Sequence, residues 1–63
     1  MPMIRVELLD GRTVEQKREF AAAVTQEAVR VLRCPAEAVD VVFVDVRHHD
    51  WATGGRLASD PQD

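Results

Sequence analysis

Apolar and polar residues alternate along the first segment of the chain. One set of alternating positions is aliphatic: Ile4, Val6 and Leu8. The positions between them are mixed: Met3, Arg5, Glu7 and Leu9. Because successive side chains of a strand point to opposite faces, this period of two predicts a β-strand with one apolar face. Asp10-Gly11 is a turn signal that ends it.

A helical pattern follows this turn. Thr13 and Gln16 have the spacing of a capping box, which predicts that a helix begins at Val14. Apolar residues then recur three and four positions apart, as expected for a helix with one face on a sheet: Phe20, Val24, Ala28, Val31 and Leu32. Pro35 disfavours helical backbone at the residue before it, so the helix should end near Leu32 or Arg33, with a short extra turn over 35–38.

The second apolar segment, Val39–Val46, is β-branched almost throughout, and apolar residues fall on both of its alternating faces. Such a strand is expected to be buried on both sides. The helix covers one side, and a chain of 63 residues has no further element for the other. We therefore expect a second subunit to cover it, so that the protein is an oligomer.

The order strand, helix, strand predicts a βαβ unit with parallel strands. Within Trp51–Ala58, Gly54-Gly55 separates two short flanks and predicts a C-terminal β-hairpin. Residues 59–63 are polar and are expected to form a frayed tail. The sequence thus predicts an α/β (α+β) subunit in which residues 1–63 form a single domain.

Composition narrows the possible functions. The net charge is -3 and the arginines are spread from Arg5 to Arg56, so no basic stripe favours nucleic acid. No apolar run approaches the ~20 residues of a membrane span, and the first residues lack a charged region followed by an apolar one, so we expect neither a membrane span nor a signal peptide. Cys34 is the only cysteine, which excludes an intrachain disulfide and fits a soluble, cytoplasmic protein. His48 and His49 would point to opposite sides of an extended chain, and no second ligand cluster accompanies them, so we expect no metal.

Pro2 is the first candidate for chemistry. An initiator methionine is usually removed before a residue this small, and loss of Met1 would leave Pro2 with a free secondary amine. An α-amino group titrates at about 7.7 to 8, and burial beside cations lowers its pKa further. The neutral amine is a base that needs no metal or cofactor. The alternative is that Pro2 is merely tolerated at a strand start, where its missing N–H costs little.

Several short motifs together resemble the 4-oxalocrotonate tautomerase family. They are Met1-Pro2 opening a strand, Leu9-Asp10-Gly11-Arg12-Thr13 with Glu15-Gln16-Lys17 after it, Pro35, Trp51, and Gly54-Gly55 before Leu57-Ala58. These motifs span nearly the whole chain. The resemblance implies a hexamer of β-α-β subunits with C-terminal hairpins. It also implies cofactor-independent keto–enol tautomerisation of a small 2-hydroxydienoate or 2-oxo acid.

The resemblance also implies roles for three residues. Pro2 matches the general base and acid that moves a proton between two carbons. Arg12 matches an arginine that binds a substrate carboxylate and usually comes from a neighbouring subunit; the alternative is an exposed turn residue paired with Asp10 or Glu15. Trp51 matches an aromatic residue that lines the pocket and helps to lower the proline pKa, and it could also anchor the hairpin in a subunit interface.

The chain departs from the family pattern at Asp40, because the family's diacid tautomerases have a second arginine at this position. A carboxylate at this position would repel the second carboxylate of a diacid. Arg47 or Arg5 could replace that arginine in the pocket, although a solvated charge is the favoured interpretation of both. The family's haloacrylate dehalogenases have an arginine and a glutamate where this chain has Leu9 and Ala52-Thr53, which weakens the dehalogenase interpretation. A promiscuous dehalogenase or hydratase-like relative stays an alternative.

Two functional hypotheses follow. The first is a cytoplasmic tautomerase that acts on a small carboxylate substrate without a cofactor and assembles from copies of this chain. The second is a non-catalytic subunit that pairs with an active relative in a mixed hexamer. The two differ on Met1, because a retained Met1 leaves the Pro2 nitrogen as an amide that cannot act as a base.

Overall fold

The computed structural model describes residues 1–61 of the chain. Its elements, in chain order, are β1 (Met3–Leu9), α1 (Val14–Leu32), a 3₁₀ turn (Ala36–Ala38), β2 (Asp40–Val46), a second 3₁₀ turn (His48–Asp50), β3 (Ala52–Thr53) and β4 (Arg56–Leu57). β1 and β2 pair in parallel and β3 and β4 pair antiparallel. The predicted β-α-β unit with a C-terminal hairpin is therefore confirmed.

Both ends of α1 are set by local sequence. The Thr13 Oγ1 accepts a hydrogen bond from the Gln16 N–H at 3.1 Å, and the Thr13 N–H donates to Gln16 Oε1 at 2.9 Å. This is the predicted capping box, and the helix begins at Val14. At the other end, Arg33 has a φ of 56° and its N–H donates to the Val29 carbonyl at 3.0 Å. This left-handed residue ends the helix.

The helix packs on one face of the two-stranded sheet. The rings of Phe20 and Phe43 meet edge to face with centroids 6.2 Å apart, and Lys17 Nζ lies 2.7 Å from Asp45 Oδ2. The prediction that Val31 and Leu32 face the sheet is wrong, because each is 59% exposed. A helix of 19 residues is about 28 Å long, whereas a strand of 7 residues spans about 23 Å. The helix is therefore about 5 Å, or roughly one turn, longer than the strand.

The opposite face of the sheet has no cover from residues 1–61. Val42, on that face, is 40% exposed, and Ala28 is the only buried residue in the described part of the chain. The accessible surface is 5089 Å², about 1,000 Å² more than a folded protein of this mass presents. The radius of gyration is 15.0 Å, against about 11 Å for a compact chain of this length. One subunit alone does not enclose a core.

Two local predictions are wrong. His48 and His49 lie in a 3₁₀ turn, not in an extended segment, because the chain bends directly after β2. Residues 59–61 are not frayed: the Leu57 N–H donates to Asp60 Oδ2 at 3.1 Å, and Arg56 Nη2 donates to the Pro61 carbonyl at 2.8 Å. These bonds hold the segment against the hairpin. The predicted fraying of residues 62 and 63 lies outside the described residues.

Within residues 1–61, α1 is too polar to cross a membrane, and no other helix has the length to do so.

Candidate active site

Pro2 lies at the amino end of the sheet. Its carbonyl accepts a hydrogen bond from the Asp40 N–H at 3.0 Å, and Met3 stands opposite Asp40 in the strand register. Pro2 is half-buried and Asp40 is exposed. Met1 is 92% exposed, so its removal would take away a residue that packs little against the chain. Two predicted site residues, Pro2 and Asp40, are therefore neighbours within one subunit.

Arg12 lies at the other end of the sheet, in the loop between β1 and α1. It lines a groove of about 290 Å³ between the helix and the sheet. The floor of this groove is apolar and is formed by Val6, Leu8, Phe20 and Phe43. Lys17 also lines the groove, but its ammonium group is bound to Asp45.

The guanidinium of Arg12 has no ion-pair partner among residues 1–61. The alternative predicted from sequence was a pair with Asp10 or Glu15. Asp10 Oδ1 instead lies 2.8 Å from His48 Nδ1, and Glu15 binds Arg18 on the next turn of the helix. Both candidate carboxylates are engaged elsewhere, so the Arg12 side chain is available to bind an external anion.

Trp51 and Arg47 lie at the same end of the sheet as Arg12. Trp51 is half-buried and lines a second groove of about 370 Å³ together with Leu9 and hairpin residues. Its carbonyl accepts the Ala58 N–H at 2.8 Å, which ties the hairpin to the chain. Arg47 is exposed directly after β2 and makes no ion pair with the described residues. Both interpretations of Trp51 remain predictions, as does the solvated charge proposed for Arg47.

The predicted site residues are thus divided between the two ends of one subunit. Pro2 precedes β1 and Arg12 follows it, and the 7 residues of that strand separate them by about 23 Å. No side chain spans this distance. A pocket that contains Pro2, Arg12 and Trp51 must therefore take them from different subunits.

One contact near Arg12 was not expected from the sequence. The pair between Asp10 and His48 joins residues 38 positions apart. The strand register could have predicted this contact. Asp10 follows Leu9, and Leu9 pairs with Val46, which lies two residues before His48. Because parallel strands end at the same edge of a sheet, side chains just beyond their carboxyl ends can meet.

The shifted pKa values lie away from these residues. Arg30 lowers the pKa of Glu27 from its ordinary value through hydrogen bonds on the exposed surface of α1. In residues 1–61, His, Cys, Asp and Glu side chains do not gather in groups of three or more that could hold a metal ion.

Known proteins are similar to this chain over nearly its whole length. A family model described as "Tautomerase enzyme" matches residues 2–60. A probable tautomerase of Streptococcus pneumoniae serotype 4 is 44% identical over 57 residues, which is 90% of this chain and 95% of that protein. The crystal structure of a 4-oxalocrotonate tautomerase homologue has 43% identity and a TM-score of 0.92, with all of both chains covered.

A chain of the heterohexamer 4-oxalocrotonate tautomerase from Chloroflexus aurantiacus is 29% identical. It superposes with a TM-score of 0.92 and covers 98% of this chain and 100% of its own.

Proposed function

The chain belongs to the tautomerase family, and we propose that it converts a small 2-hydroxydienoate or 2-oxo acid between its enol and keto forms. Pro2, freed by removal of Met1, is the general base and acid. Arg12 of a neighbouring subunit binds the substrate carboxylate, and Trp51 forms a wall of the pocket. The family and the enzyme class expected from the motifs are both confirmed by the relatives.

The reaction needs only proton transfer. The neutral Pro2 amine takes a proton from the substrate enol or from a carbon next to the carbonyl, and the ammonium returns it to another carbon of the same conjugated system. Negative charge develops on oxygen during the transfer. A guanidinium that holds the carboxylate in a bidentate contact stabilises this charge. Protons and electrons balance within the substrate, so no cofactor takes part.

The guanidinium of Arg12, which has no ion-pair partner in the described residues 1–61, is the observation that carries the proposal. It faces a groove with an apolar floor, and the two nearby carboxylates are held by His48 and Arg18. Arg12 is exposed at the edge of this groove, and a cation beside an apolar groove is suited to an organic acid whose carbon chain contacts apolar surface.

We further propose that the pocket forms between subunits of a homo-oligomer, most simply a hexamer. Two features of the subunit support this assembly. Pro2 and Arg12 are separated by the length of β1, and the face of the sheet that carries Val42 is uncovered in a single subunit.

Replacement of Pro2 tests the chemistry. Pro2→Ala keeps a small second residue, so Met1 removal is retained, but it exchanges the rigid secondary amine for a primary one. We expect kcat/KM to fall by roughly 10- to 1000-fold, the range for a displaced general base. The assay follows the loss of dienol absorbance on ketonisation. Pro35→Ala, at the 3₁₀ turn after the helix, is the matched control, and unchanged activity in Pro2→Ala would refute the role.

A second candidate function is a partner subunit of a mixed hexamer. The similarity to a chain of the Chloroflexus aurantiacus heterohexamer favours it. The protein expressed alone decides between the two. An active oligomer of one chain type supports the first proposal, whereas an inactive protein that gains activity only with a second family member supports this one.

A further inference from the structure

The loop that carries Arg12 is held at both of its ends. On the strand side, the Asp10 N–H donates to the Val46 carbonyl at 2.9 Å, which continues the sheet by one bond. On the helix side, the capping box fixes Thr13. Between them, Gly11 has a φ of 118°, a backbone conformation that other residues rarely adopt. The direction in which Arg12 leaves the sheet is therefore set by Asp10 and Thr13.

The side chain of Asp10 makes a polar contact that joins this loop to the segment after β2. Its Oδ1 lies 2.8 Å from His48 Nδ1, in the 3₁₀ turn that leads to Trp51. His49 Nε2, from the next residue, lies 3.7 Å from Asp50 Oδ2 of the same turn and forms no ion pair with another element of residues 1–61. Among the described histidines, His48 alone thus connects the loop of Arg12 to the segment that carries Trp51.

The pair is too exposed to matter much for stability. The side chains of His48 and Asp10 are 50% and 47% exposed, and exposed pairs of this kind contribute little to folding stability. A contact with so small a contribution to folding can still fix an angle. Displacement of a substrate-binding group by about 1 Å is enough to lower catalysis by up to roughly 100-fold.

We propose that Asp10 and His48 form a positioning pair that orients Arg12 toward the substrate carboxylate. This inference rests on the proposed function, in which Arg12 is the carboxylate anchor. Neither residue of the pair touches the substrate. Their loss acts through Arg12, so it should weaken carboxylate binding and leave the proton transfer at Pro2 largely intact.

Three variants at two positions test the pair. His48→Ala removes the contact, and we expect KM for a carboxylate substrate to rise by about 3- to 100-fold with a much smaller change in kcat. His48→Asn places an amide nitrogen near the position of His48 Nδ1, so it should restore KM to near the wild-type value. His49→Ala is the matched control and should behave as wild type.

A double-mutant cycle separates positioning from general damage. In the Arg12→Ala background the pair has nothing left to orient, so adding His48→Ala should raise KM no further. An equal rise in KM in both backgrounds would show that His48 acts independently of Arg12 and would overturn the inference. A wild-type KM in His48→Ala would overturn it as well.

A binding measurement keeps this result distinct from the proposed function. Trp51 is the only tryptophan, so its fluorescence can report the titration of pyruvate into each variant. If both Arg12→Ala and His48→Ala weaken pyruvate binding but the wild type shows no tautomerase activity, the proposed function fails and the positioning pair stands. If the wild type is active and His48→Ala binds pyruvate as the wild type does, the positioning pair fails alone.

Discussion

Val42 lies on the face of β2 that α1 does not cover, and it is the residue whose replacement should separate the subunits. Its neighbour Phe43 contacts Phe20 of the helix, so Val42 points to the opposite face. Within one subunit Val42 is 40% exposed. Full burial of a valine side chain contributes about 1.5 to 3 kcal/mol, so covering the remaining two-fifths is worth about 0.6 to 1.2 kcal/mol per subunit.

The size of the effect depends on the substitution. Val42→Ala forfeits part of that contribution and should weaken assembly by less than about tenfold per subunit. Val42→Asp also places a carboxylate in the interface, at a desolvation cost of several kcal/mol. Because the change recurs in every subunit, we expect Val42→Asp to dissociate the oligomer at micromolar concentration.

Sedimentation velocity measures the result directly. Wild type and Val42→Ala should sediment as the oligomer and Val42→Asp as smaller, largely unfolded species. Val14→Asp is the matched control, since Val14 is 67% exposed at the first turn of α1, where a negative charge is favourable. An intact oligomer in Val42→Asp, or a folded wild-type monomer at micromolar concentration, would refute the inference that this face is an interface.

Two further predictions concern specificity and the helix. Asp40→Arg should selectively improve activity on diacid substrates, because a like charge at about 4 Å weakens binding of a second carboxylate by roughly 5- to 100-fold. Kinetics on a monoacid enol and a hexadienedioate check this. A wild-type preference for the diacid that Asp40→Arg leaves unchanged would place Asp40 outside the pocket. Thr13→Ala removes the capping box and should lower the free energy of unfolding by about 1 kcal/mol per subunit. Denaturant unfolding measures this, with Thr25→Ala within the helix as the control. Equal losses of stability in the two variants would argue against a specific capping contribution.

Local signals were sufficient for the two long strands, the helix and the hairpin. The alternation in β1, the Thr13–Gln16 spacing and Gly54-Gly55 each depend on neighbouring residues, and the structure contains the strand, cap and hairpin that they predict. The exposure of Val31 and Leu32 was not predictable in this way, because it depends on the length of α1 relative to the sheet.

The arrangement of the site depends on tertiary structure. The strand register brings Asp40 beside Pro2 and leaves Arg12 at the far end of β1. The sequence named these residues but could not place them relative to one another. The contact of Asp10 with His48 likewise arises only when the two parallel strands align. Roles for Pro2, Arg12 and Trp51 therefore stay predictions that kinetics must test.

The intact mass of the purified, catalytically active protein tests the central claim most directly. A free Pro2 amine requires that Met1 be absent, since the structure with Met1 in place has an amide nitrogen at Pro2. We predict a single mass that corresponds to residues 2–63, in the same sample that ketonises the dienol substrate. An active sample whose mass includes Met1 would contradict the assignment of Pro2 as the base.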